Sequence, residues 1–69
     1  MSMKKETLED IIIASGIKKE IIAKRMGISP SYLWRLRQEP NKMDLDYMKK
    51  LSEAMGVELD RVIEAVKNN

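Results

Sequence analysis

The feature that most constrains this chain is the short distance between two amphipathic segments at its centre. Lys19–Met26 and Pro30–Gln38 each carry apolar residues at helical spacing, and only Gly27, Ile28 and Ser29 lie between them. Two helices joined this tightly must cross steeply. The crossing needs a small residue at the closest approach, and Ala23 stands there. It needs a turn residue that tolerates positive φ, and Gly27 supplies it. It needs an apolar seam, which Ile22, Met26, Ile28, Leu33 and Leu36 provide. The second segment also has the best start signal in the chain. Ser29 is a good N-cap, Pro30 suits the first helical position, and Ile28 can staple onto Leu33.

The same punctuation organises the rest. Gly16, Gly27 and Gly56 each follow an apolar-periodic run, as helix-ending glycines do. The spacing predicts five helices, at about residues 5–15, 19–26, 30–38, 45–55 and 58–67. Thr7 or the residues before it cap the first, which buries Leu8, Ile11 and Ile12. The second has Lys18 as a poor N-cap. Asp44 caps the fourth, which is expected to bury Leu45, Met48, Leu51 and Met55. The fifth presents Leu59, Val62, Ile63 and Val66. Strand signals are weak, with no Asn-Gly or Asp-Gly turn. The expectation is a single all-α domain over residues 1–69, a compact five-helix bundle containing a helix-turn-helix.

Composition excludes several kinds of chemistry. With no cysteine and no histidine, a disulfide framework and a zinc finger are ruled out, and the usual general base and thiol nucleophile are absent. No carboxylate cluster has the spacing of a calcium loop. No residue is assigned a catalytic role, and no metal or cofactor is expected. The start of the chain is polar, and the only uninterrupted apolar run near it is Ile11–Ala14. No stretch approaches the roughly 20 apolar residues of a membrane span. A cytoplasmic location is the default expectation.

Charge is unevenly placed. Lys18, Lys19, Lys24, Arg25, Arg35, Arg37 and Lys42 face only Glu20 and Glu39, so this segment carries about +5 of a chain whose net charge is +2. The remainder carries about −3. A basic surface on an acidic body is the pattern of a nucleic-acid binder, although lysines also simply solvate helix surfaces. With Leu33 and Leu36 turned inward, the opposite face of the third helix holds Pro30, Ser31, Trp34, Arg35 and Gln38 in one stripe. In a major groove, arginine matches guanine and glutamine matches adenine, each by two hydrogen bonds.

The run IIAKRMGISPSYLWRL resembles the helix-turn-helix of the phage Cro and cI repressor family, also called the XRE family. The following DLDYMKKLSEAMGVELDRVI resembles that family's fourth helix and its entry into a fifth. The likeness covers about Leu8–Val66. It implies a five-helix domain that binds double-stranded DNA in a sequence-specific way and controls transcription in bacteria or their phages, commonly as a repressor. It implies base contacts at Pro30, Ser31 and Arg35. It implies phosphate contacts near Lys18, Lys19, Gln38 and the loop holding Asn41 and Lys42. Tyr32 either bonds a phosphate or covers the turn.

The chain departs from the family pattern in three places. Trp34 lies on the outer face where a small residue is usual. It either packs on sugar and thymine methyl groups as a base contact, folds over the stem of Arg35 or Lys42, or meets a protein partner. Where many members pair an arginine in helix one with a glutamate late in helix three, this chain has Ile12 and Arg37, which reads as a pair replaced by packing. In the loop, Glu39, Pro40, Asn41 and Lys42 replace a glycine and basic residues. Finally, Ile13, Ile21, Val62, Ile63 and Val66 exceed what one small core easily buries, so Ile63 and Val66 are assigned to a homodimer interface. The alternative function is a protein-interaction module that keeps the fold without operator reading, using Trp34 and the apolar face of helix five.

Overall fold

Helix boundaries in the computed structural model, which describes residues 5–68, follow local capping chemistry. α1 spans Leu8–Ser15, α2 Lys19–Met26, α3 Pro30–Gln38, α4 Leu45–Met55 and α5 Leu59–Lys67, with one 3₁₀ turn at Pro40–Lys42. No strand occurs among the described residues. The fold is the all-α, five-helix arrangement that the sequence predicts. α1 starts later than expected because Thr7 and Asp10 form a reciprocal capping box. Thr7 Oγ1 accepts from the Asp10 amide at 3.3 Å, and an Asp10 carboxylate oxygen accepts from the Thr7 amide at 3.0 Å. Asp44 Oδ1 caps α4 by accepting from the Tyr47 amide at 3.1 Å.

The α2–α3 junction is built as the spacing requires. Gly27 takes φ 75°, the left-handed conformation. The amide of Gly27 donates to the Lys24 carbonyl and that of Ile28 to the Ala23 carbonyl, closing the end of α2 in a Schellman motif. Ile22, Ala23, Met26, Leu33 and Leu36 are all buried, and α2 packs chiefly on α4 and α3. The core continues through Leu8, Ile11, Ile12, Leu51, Ala54, Met55, Val62 and Ala65.

Two apolar assignments are corrected. Leu45 is 55% exposed at the first position of α4, and Met43, ahead of the helix, takes a place in the core instead. Val66 is only 7% exposed and belongs to the core, so it is not surface for a second subunit, whereas Ile63 is half-buried. α5 turns its apolar stripe inward, and the largest unburied aliphatic side chain is Ile13 on α1, at 69%.

Three arginines bind the helices together. Arg25 Nη1 donates to the Ala54 carbonyl at 2.8 Å, satisfying an acceptor in the last turn of α4, where a cation is also favoured by the helix dipole. Arg61 forks onto Glu6 at 3.0 and 2.6 Å, and Asn68 Nδ2 donates to the Glu6 carbonyl at 2.9 Å, so α5 holds the segment before α1. Arg37 forks onto Glu9, with Nε 3.0 Å from Oε1 and Nη2 2.7 Å from Oε2. This corrects the expectation that packing replaces the pair between helix one and helix three. Ile12 is in the core, but Glu9, one turn earlier, supplies the carboxylate, and the polarity of the pair is reversed.

The Arg37 and Glu9 side chains are 17% and 40% exposed. Their pairing is worth about 1 kcal/mol, the upper end for solvent-reached pairs. Arg37→Glu should therefore lower the melting temperature by at least about 4–8 °C, and Glu9→Arg added to it should restore most of the loss. A double variant no more stable than Arg37→Glu alone would mean that the two side chains are not coupled.

The hydrogen bonds from Arg61 hold the Glu6 carboxyl below its ordinary value, with the guanidinium charge acting in the same sense. A carboxyl depressed in the folded state adds stability that is present above its unfolded pKa and lost as the pH falls through the folded one. The parent should melt above Glu6→Gln at neutral pH, and the gap should close in acid below the usual carboxylate range. A gap that is unchanged in acid would show that the ion pair is not its source.

Candidate nucleic-acid interface

The pose of α3 follows from its two ends and its buried side. Ser29 Oγ accepts from the Tyr32 amide at 3.1 Å, and Pro30 occupies the first helical position. Leu33 and Leu36 are buried against the core, so the helical period leaves Pro30, Ser31, Trp34, Arg35 and Gln38 on the exposed side. Pro30, Ser31, Trp34 and Arg35 together line a shallow hollow of about 500 Å³. The four residues assigned to base contacts thus share one surface. The guanidinium of Arg35 has no hydrogen bond or ion pair with another described residue, unlike those of Arg25, Arg37 and Arg61.

A second hollow of about 200 Å³ lies on the other side of Arg35, lined by Tyr32, Arg35, Leu36, Glu39 and Lys42. Lys42 Nζ sits 3.2 Å from a Glu39 carboxylate oxygen, and both side chains are largely exposed. Glu39 therefore neutralises part of the positive charge of the loop, while Asn41 and Gln38 are exposed beside it. Lys18 and Lys19 are exposed at the start of α2, where no side chain caps the helix. They line a third hollow of about 430 Å³ whose floor is Ile12, Ile13, Gly16 and Ile17. The amides of the first turn of α2 thus lie beside two lysines, an arrangement that favours an anion.

Tyr32 does not stand alone. Its ring centroid is 5.6 Å from that of Tyr47 in an edge-on arrangement, and Lys50 Nζ is 5.5 Å from the Tyr47 ring. Interaction with the Tyr47 side chain is the first cause that pushes the Tyr32 phenol above its ordinary pKa. The hydroxyl therefore stays protonated and able to donate. Tyr47 and Lys50 were not picked out by sequence reasoning. Their signal was their spacing on α4, three residues apart and just after the Asp44 cap. Arg25 is the opposite case, because its bond to Ala54 removes it from the free basic surface to which charge counting assigned it.

Among the described residues no group of three or more histidine, cysteine, aspartate or glutamate side chains is placed to hold a metal. No helix is long and apolar enough to cross a membrane. Searches of curated proteins and of solved structures returned no significant match. A family model described as the Cro/C1-type HTH DNA-binding domain matches residues 7–68, from the Thr7 cap to the end of α5. The matched span contains every element described above, and the chain belongs to the Cro/C1-type helix-turn-helix family of DNA-binding domains.

Proposed function

We propose that this domain is a sequence-specific transcriptional regulator that lays α3 in the major groove of duplex DNA. The observation that carries this reading is the exposed stripe of Pro30, Ser31, Trp34 and Arg35, with an arginine that no side chain of the domain engages. Arg35 is the reader of a guanine, and Ser31 lies one turn before it on the same line. Lys18, Lys19, Tyr32, Gln38, Asn41 and Lys42 supply phosphate contacts that set the register of the helix. Two-fold operator reading asks for a second copy of the domain. Of the two residues assigned to that contact, Ile63 keeps exposure and Val66 does not.

The reading as a protein-interaction module draws less support. The helix-five face it would use is mostly spent on the core, through Val62, Ala65 and Val66.

Base and phosphate contacts differ in what their removal does. Arg35→Ala should weaken the preferred duplex by roughly 10- to 100-fold, with much less effect on random duplex and little on thermal stability. Lys19→Ala should weaken both duplexes alike and reduce the slope of log affinity against log salt by about 0.9. Quantitative gel shifts over a range of salt, on a duplex selected from a random library, distinguish the two. Equal loss on both duplexes for Arg35→Ala would reassign it to phosphate, and no loss on either would remove α3 as the reading element.

A further inference from the structure

The outward face of α3 divides into two columns. Pro30 and Trp34 lie one turn apart, and Ser31 and Arg35 lie one turn apart beside them. The first column is apolar but for the indole N–H, whereas the second offers a hydroxyl and a guanidinium. The hollow of about 500 Å³ is lined by these four residues alone. Trp34 is 57% exposed, and its ring makes no aromatic or cation–π contact with another described residue. An indole so placed leaves a large apolar surface in water, on the face where every neighbouring feature favours nucleic acid.

Resting on the major-groove reading above, we infer that this hollow is a specificity pocket for the C5-methyl group of a thymine. Among the base edges of the major groove, only thymine presents an apolar group. An apolar column beside a donor column therefore matches a thymine close to the guanine that Arg35 engages. One helical turn from Pro30 to Trp34 rises about 6 Å, less than two base steps of about 3.4 Å. The thymine consequently lies within two base pairs of that guanine. Pro30, with no backbone N–H to leave unpaired against the methyl group, closes the end of the pocket nearest the helix start.

Uracil supplies the test, since it pairs as thymine does but lacks the methyl group. A duplex is first selected from a random library by the parent domain, and each thymine is then replaced singly by uracil. At one thymine per half-site, within two base pairs of the guanine whose contribution Arg35→Ala abolishes, uracil should weaken binding about fourfold, the effect of one buried methyl. Trp34→Ala, at an exposed position and with unchanged melting, should bind the thymine and uracil duplexes equally. Fluorescence from Trp34, the sole tryptophan, should change on titration with the thymine duplex. Uracil without effect at every position of a well-selected duplex overturns the pocket while leaving major-groove reading intact. So does a uracil effect that persists unchanged in Trp34→Ala. A library that yields no consensus is a different failure, which removes the reading by α3 and the pocket with it.

Discussion

The whole surface described here depends on a three-residue turn. Gly27 in the left-handed conformation ends α2, and Ser29 restarts the chain as α3 two residues later. The angle between the helices is then held by contact across Ala23, which is completely buried, with Ile22, Met26, Leu33 and Leu36 around it. A larger side chain at Ala23 would push α3 away from α2 and rotate every exposed residue of α3 with it. The positions of Ser31, Trp34 and Arg35 are consequences of this packing rather than independent features of the surface.

Electrostatics divides the arginines by task. Arg25, Arg37 and Arg61 are consumed in joining α2 to α4, α1 to α3, and the segment before α1 to α5. In a chain of 69 residues these links supplement a small core. Arg35 is left with its donors open, and Lys18, Lys19 and Lys24 remain as exposed cations on α2 and its approach. The basic surface is accordingly smaller than the residue count suggests. It is also more concentrated along α3 and the start of α2.

Local features were readable from the sequence because their causes are local. Glycine after an apolar run, serine or aspartate before one, and the phase of Leu33 and Leu36 each act within a few residues, and they located α2, α3 and α4 closely. The start of α1 was placed too early because Lys5 looks helical by pattern, while the exchange between Thr7 and Asp10 holds Thr7 extended. Partners distant in sequence were not readable. Arg37 and Glu9 are 28 positions apart, and nothing in either neighbourhood announces the other. The inward face of α5 was misjudged for a related reason. Whether Val66 is core or surface depends on the path of α5 across the other helices, which periodicity along one helix does not specify. Among the site residues, the α3 stripe was legible from phase alone, whereas the ring pair of Tyr32 with Tyr47 required the packing of α3 beside α4.

The placement of α3 in the major groove is tested most directly by methylation interference on the selected duplex. Dimethyl sulfate methylates guanine at N7, which faces the major groove, and adenine at N3, which faces the minor groove. A guanidinium from Arg35 that forks onto O6 and N7 cannot tolerate a methyl group on N7. The predicted result is that duplexes recovered in complex are depleted of N7-methylated guanine at one position per half-site and are unaffected by N3-methylated adenine there. Depletion confined to adenine N3, with free tolerance of guanine N7 methylation throughout the site, would contradict the account.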